Sequence, residues 1–317
     1  MSNIRDPKIW EKYHGIALEE AKGILDKNGA IKETLSYKLD DCICCHGKLT
    51  NAKPQGGFSE CSRCDTLQAN PRPLSSTIEK LRQPDSALSY FHKHVVMLSR
   101  DRRYKLFQER LKEINHLLCS ASDKILDIGC SIGVFLDVLK DSGYRCEGVE
   151  AVSTSAEIGR SKGHIVHNQT VEELELPNSS FGLITMWEVI CHLENPILSI
   201  EKIFQWLMPG GYLVISATNA LALEYDFIWE DNKRHHFNLE PHIFQQIFSV
   251  EALGVLLRQK GFNLIECKTP GTMDLQNISD YSMRTSKRLK KGLLQRVLDT
   301  PENLSRISEF SGVSNTR

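Results

Sequence analysis

The sequence predicts an α/β fold, a doubly wound and mostly parallel sheet with helices on both faces, preceded by helical segments and a small four-cysteine module. Three observations carry that prediction. From residue 124 onward short apolar runs alternate with amphipathic segments, the pattern of successive β-α-β units. The first run ends in the turn "LDIGCSIG", bracketed by two glycines. Upstream, "CICC" and "CSRC" place paired cysteines in a glycine-rich stretch. With 317 residues, 41% hydrophobic and 25% charged, the chain is long enough for one sizeable core and a smaller unit. A formal net charge of -1 excludes a global field for a polyanion or an anionic membrane.

Taken in order, residues 1–40 form an N-terminal helical segment, since Ile9, Trp10, Tyr13, Ile16, Ala17, Ala21, Ile24 and Leu25 recur at three- and four-residue spacing. The N-terminus has no apolar leader and no run is long enough to cross a bilayer, so a cytoplasmic protein without a membrane partner is expected. Its ten cysteines are then expected to be reduced. Residues 41–74 hold Cys42-x-x-Cys45, fifteen intervening residues, and Cys61-x-x-Cys64, with Cys44 and His46 to spare. Four thiolates at this spacing match a structural Zn2+ ribbon, a closed tetrahedron with no open position. A redox C-x-x-C is the competing reading, but neither pair sits in a β-α-β unit. "NPRP" at its end reads as the start of a linker.

Residues 75–122 return to a helical pattern and are read as a helical linker or lid. In 123–278 strands are expected at 125–128, 146–149, 165–167, 183–186, 212–217 and 263–267, with helices running to 142 and over 153–162, 197–207 and 250–260. The tail, 279–317, carries six Lys or Arg and no acid over 284–296; a solvated helix face and a frayed end account for it.

An acid inside an apolar strand, Asp127, is costly unless hydrogen-bonded, and a two-glycine turn after it implies close approach of backbone to a ligand. A dinucleotide site needs G-x-G-x-x-G, which fails here at Ser131 and Val134. "LDIGCSIG" instead resembles the first motif of class I S-adenosylmethionine-dependent methyltransferases, with Ser131 in place of the middle glycine. The resemblance continues in order through "YRCEGVEAVSTSA", "NQTVEELELP", "SSFGLITMWEVICHLENP", "LMPGGYLVISATN" and "FSVEALGVLLRQKGF". Two departures stand in the fourth motif, Gly182 for an Asp and Cys191 for a Glu.

This resemblance implies a seven-stranded-type sheet and S-adenosylmethionine as cofactor. It implies that Asp127, Gly129, Cys130, Ser131 and Gly133 hold the amino-acid end, with the carbonyl near Met186 on the ammonium. Glu150, beside Ala151, accepts the ribose hydroxyls, and Thr170 and Val171 meet the adenine. "CSRCDTLQANPRP" also resembles bacterial small-molecule methyltransferases that carry an N-terminal zinc ribbon. O-methylation of a sugar-linked or secondary-metabolite hydroxyl is the expected reaction, on a small-molecule acceptor. An RNA methyltransferase, which the charge balance disfavours, and a non-catalytic scaffold are the alternatives. His236 and His242, in the segment after the fifth strand with Trp229 and His235, and His192, after the fourth, are the candidate general bases. Arg100 and Arg103 could reach the cofactor carboxylate, although a surface role is the simpler reading. Oligomeric state is left open.

Overall fold

Helix α1 (Pro7–Ile24) starts where Asp6 caps it, its carboxylate accepting the Lys8 N–H at 2.9 Å with Pro7 at the first helical position. The computed structural model describes residues 6–50, 57–118, 124–221 and 240–268, and the backbone of 315–316. After α1 come β1 (Ser36–Tyr37), β2 (Leu49–Thr50), β3 (Phe58–Cys61), β4 (Leu67–Ala69) and β5 (Arg72–Pro73). Helices α2 (Ser75–Lys80) and α3 (Ala87–Tyr90), a π-helical turn (Phe91–Val96) and α4 (Arg100–Ile114) follow. The second half runs β6 (Lys124–Ile128), α5 (Val134–Asp141), β7 (Arg145–Val149), α6 (Ser153–Ser161), β8 (Ile165–His167) and β9 (Phe181–Trp187). It continues with α7 (Pro196–Trp206), β10 (Leu207–Thr218), β11 (Gln246–Ile247) and α8 (Val250–Gln259).

The main sheet has the order β10-β9-β6-β7-β8, all parallel, with Asn315–Thr316 pairing antiparallel to the end of β10. The chain winds outward from β6 to β8 and then crosses back to β9, so the winding reverses between β6 and β9. Open α/β sheets bind ligands at such a point, outside the carboxyl ends of the strands. Strand β6 is buried on both faces because helices cover both. Helix α5 buries Val134, Phe135, Leu136, Val138 and Leu139, and α4 closes over it with Phe107 5.1 Å from Phe135, ring to ring.

Two expectations are corrected. Residues 263–267 form no strand, and Ile265 is 72% exposed. The apolar pattern makes the segment competent for a strand, but a strand also needs a partner edge, and none among the described residues pairs with it. "NPRP" is not a free linker. Arg72 is 2% exposed, and β4 pairs with β11, so the four-cysteine sheet takes its fourth strand from the far end of the chain. Cys42, Cys44 and Cys61 share one apolar cluster with Leu126, Ile184 and Phe248 of the second half. Among the described residues no helix is long and apolar enough to cross a membrane. The basic stretch 284–296 lies outside them.

Candidate functional site

Strand β6 carries Asp127 into the interior, where it is 2% exposed and accepts a 2.7 Å hydrogen bond from Thr185 Oγ1. Burial pushes its carboxyl up to about 7, against the Thr185 hydrogen bond and with the charge of Glu150 adding to the rise. The chain then turns through Gly129 (φ 72°), Ser131 (φ 52°) and Gly133 (φ 76°). A Cβ at Gly129 would lie 2.2 Å from Val189 Cγ2, so both its left-handed backbone and its neighbour demand glycine. Ser131 holds the same backbone region at a cost of about 1–2 kcal/mol, and its Oγ is buried with no hydrogen-bond partner among the described residues. Gly129 and Cys130 both donate to the Val149 carbonyl, at 2.8 and 3.1 Å, which ties the turn to β7.

Asp137 braces that turn from beneath. Its Oδ2 meets Arg100 Nη2 at 2.9 Å and Lys162 Nζ at 3.1 Å, and its Oδ1 meets His164 Nε2 at 2.7 Å. The same Lys162 Nζ donates to the Ile132 carbonyl at 2.6 Å. Burial alone would raise the Asp137 carboxyl, but the hydrogen bonds from His164, Lys162 and Arg100 hold it below the ordinary value. A carboxyl with a depressed folded pKa stabilises the fold above its unfolded value, about 3.9, and loses that contribution as pH falls through the folded one. Asp137→Asn is therefore expected to be less stable than wild type in urea at pH 7, with the gap closing below about pH 4.

Glu150 ends β7, 6% exposed. Its Oε2 accepts the Ser131 N–H at 2.9 Å and its Oε1 the Val152 N–H at 2.7 Å. Burial raises its pKa while those two N–H groups oppose the rise. Each oxygen keeps a second lone pair for a ligand hydroxyl. Asn168 Nδ2 holds the carbonyls of Glu150 and Ala151 at 2.9 and 3.2 Å. Thr170 and Glu173 cap each other, and Val171 is buried beside them. Met186 is fully buried near the end of β9. Two residues on, Glu188 has φ 59° and accepts from Ser216 Oγ at 2.8 Å. Sequence reasoning passed over Glu188, although an acid closing an apolar strand is the signal that picked out Asp127.

His192 lies in a short 3-10 turn, Ile190–His192, directly after β9. Its Nδ1 is 2.9 Å from the Ile243 carbonyl and its ring packs on Phe244. A carbonyl can only accept, so Nδ1 carries the proton and neutral His192 keeps its lone pair on Nε2. Burial lowers its pKa, against the Ile243 hydrogen bond. His242 is 4% exposed in the same segment as Ile243. His236, with Trp229 and His235, lies outside the described residues. His92, another group not anticipated, sits in the π-helical turn with Nδ1 2.8 Å from Ser155 Oγ. Burial pushes it down to about 4, and the charges of Arg103 and His192 add to the effect. Arg103 is half-buried and donates Nε to Ser99 Oγ at 3.1 Å. Arg100 is committed to Asp137.

A family described as a methyltransferase domain matches residues 98–267. The chain belongs to that family. Curated relatives of the methyltransferase include ubiquinone biosynthesis O-methyltransferases. That of Bradyrhizobium diazoefficiens is 27% identical over 154 residues, 44% of this chain and 59% of the relative. That of Haemophilus ducreyi is 27% identical over 113 residues, 32% and 48% of the two chains. The chain thus spans about half to three-fifths of the length of the curated relatives it matches. A solved S-adenosylmethionine-dependent methyltransferase of Thermotoga maritima, described as a possible histamine N-methyltransferase, is 27% identical, with 56% of this chain and 81% of that one covered and a TM-score of 0.42. One from Archaeoglobus fulgidus is 20% identical, with 58% and 81% covered and a TM-score of 0.47.

The match begins after the four-cysteine module, which has its own chemistry. The sulfur atoms of Cys42, Cys45, Cys61 and Cys64 all lie within 4.8 Å of one another, and Cys44 is not among them. The two pairs are built alike. Cys44 N–H points to Cys42 Sγ and Arg63 N–H to Cys61 Sγ, each at 3.4 Å. His46 and Asp65, each following the second cysteine of its pair, both have φ 55°. A Cβ on Gly47 would come within 2.9 Å of Cys61 Sγ, so the turn closes tightly on the sulfurs. The Cys44 thiol and burial push the Cys42 thiol up to about 12, against its contact with Cys64, and the Cys42 thiol and burial push Cys64 up to about 12. Four converging sulfurs with N–H donors behind them suit a tetrahedral Zn2+ site without an open position.

Proposed function

We propose that the chain transfers the methyl group of S-adenosylmethionine to a hydroxyl oxygen of a small-molecule acceptor, of the sugar-linked or secondary-metabolite kind. The observation that carries this reading is the His192 ring, which directs its protonated nitrogen at the Ile243 carbonyl. Val189 links that ring to the glycine turn, packing on Gly129 and accepting the His192 N–H. The O-methyltransferase names of the curated relatives agree with it.

The residues present fit the cofactor. Glu150 would accept its two ribose hydroxyls, Thr170 and Val171 would meet the adenine, and the backbone of residues 129–133 would wrap the amino-acid end. Asp127 and the Met186 carbonyl would favour the ammonium, which in turn would favour the ionised form of Asp127. Arg103, with no carboxylate partner among the described residues, suits the cofactor carboxylate. When bound, S-adenosylmethionine supplies a methyl group on a sulfonium, already electrophilic. The chain must then hold the acceptor in line, exclude water and take a proton. His192 Nε2 accepts that proton from the acceptor hydroxyl, and the Ile243 carbonyl steadies the imidazolium. We infer as well that Cys42, Cys45, Cys61 and Cys64 hold a structural Zn2+ ion.

His192→Ala is expected to lose about 10²–10⁴ in turnover, the usual worth of a general base. Cofactor affinity should stay near wild type, since proton removal belongs to the transition state. His242→Ala, assayed alongside on a panel of hydroxyl acceptors, should lose less. Full turnover in the His192 variant would end the general-base reading.

A further inference from the structure

Arg72 is a buried guanidinium that forms no ion pair in hydrogen-bond contact among the described residues. Its Nη1 donates to the Gln245 carbonyl at 3.1 Å. Its Nη2 donates to the Glu194 carbonyl at 2.7 Å, to Gln246 Oε1 at 2.8 Å and more distantly to the Leu193 carbonyl at 3.4 Å. Taking a guanidinium out of water is expensive, and neutral acceptors offset that cost only when several of them are held in place. An apolar side chain would fill the space without that penalty, so the arginine needs another reason to be there.

The partners supply that reason. Gln246, held by Arg72, donates Nε2 to the Ile190 carbonyl at 2.6 Å and to the Leu193 carbonyl at 3.0 Å. Gln245 N–H donates to the Cys191 carbonyl at 2.8 Å. The carbonyls of residues 190, 191, 193 and 194 are therefore all fixed from one side by Arg72, Gln245 and Gln246. The residue in the middle of that clamp is His192, and its ring is held by Ile243 of the same incoming segment. On its other side Arg72 belongs to β5, the exit from the four-cysteine module, and Gln246 pairs with Gln68 of that module.

We propose that Arg72 is a positioning residue, which couples the four-cysteine module to the loop of residues 190–194 and so sets the orientation and burial of the His192 ring. The five-donor fork suits this task because it bridges carbonyls from two separate segments, whereas an ammonium concentrates its donors at one point. The charged groups facing the loop include Glu188, which lies beside Cys191, Glu172, whose carboxylate accepts the Asn195 N–H at 3.0 Å, Glu194, whose carboxylate takes a hydrogen bond from Ser75, and His92, on which the charge of His192 acts.

The proposal rests on the general-base reading only for its meaning in catalysis, and its test needs no acceptor. Histidine-labelled protein is titrated by NMR, with the His192 signal assigned by its loss in His192→Gln. In wild type His192 should titrate below the ordinary value of about 6.5, because burial disfavours the charged form. Arg72→Lys keeps the charge but loses the fork. The loop should then loosen, water should reach the ring, and the midpoint should rise by about half a unit or more toward the ordinary value. Calorimetric affinity for S-adenosylmethionine should remain within about threefold of wild type, less than a single hydrogen bond is worth. An unmoved midpoint in folded Arg72→Lys overturns the proposal. If that variant does not fold, Gln246→Met, which removes the donors to Ile190 and Leu193 together with the side-chain acceptor of Arg72 Nη2, should show the same rise, and an unmoved midpoint there overturns the proposal equally. Full turnover in His192→Ala would defeat the general-base role while leaving the titration result to stand by itself.

Discussion

Glu150→Ala is expected to weaken S-adenosylmethionine binding by about 10²–10⁴-fold. Two hydroxyl donors meeting one carboxylate are worth roughly 1.5–3 kcal/mol each, and about 1.4 kcal/mol is a factor of ten in affinity. The same carboxylate also ties the Ser131 and Val152 N–H groups, so its loss loosens the turn that would wrap the other end of the ligand. Glu150→Gln, which keeps the shape but can accept at only one atom, should fall between alanine and wild type. Titration calorimetry reads all three. Equal affinity in the alanine variant would remove Glu150 from the cofactor site.

The second large effect is expected from metal removal. Wild type should carry about one zinc per chain by elemental analysis, retained in Cys44→Ser and lost in Cys61→Ser, because Cys44 lies outside the sulfur cluster. Structural zinc contributes on the order of 10–16 kcal/mol of binding free energy that is also folding free energy. Cys42 and Cys61 are fully buried in a cluster that also holds Leu126, Ile184 and Phe248. Chelation should therefore lower the melting temperature of the main sheet along with that of residues 42–70, in one transition by circular dichroism. An unchanged melting curve after complete metal removal would refute a structural role.

The main sheet was legible because its central strands, β6 and β9, are apolar runs covered on both faces and bounded by turn residues. The glycine turn and the cysteine pairs were legible because each depends on a local spacing. Arg72 was not, because its partners lie 121 to 174 residues away in the chain, and nothing in "NPRP" distinguishes a buried fork from a solvated one. His92 escaped for a related reason. Its burial depends on how a π-helical turn docks on α6, which is a tertiary contact and leaves no periodic trace. The strand expected at 263–267 failed on the converse ground, since it had the composition for pairing and no described neighbour to pair with.

The pairing of β4 with β11 also governs how this protein can be taken apart. A fragment beginning at Ser75 would bare the edge of β11, uncover Ile247 from Phe58, Leu67 and Ala69, and strip the Gln245 and Glu194 carbonyls of their donor. An exposed strand edge beside fresh apolar surface is a template for aggregation. The catalytic half is thus not an interchangeable cassette, and grafting another ribbon onto it would require a matching strand and an arginine at the exit.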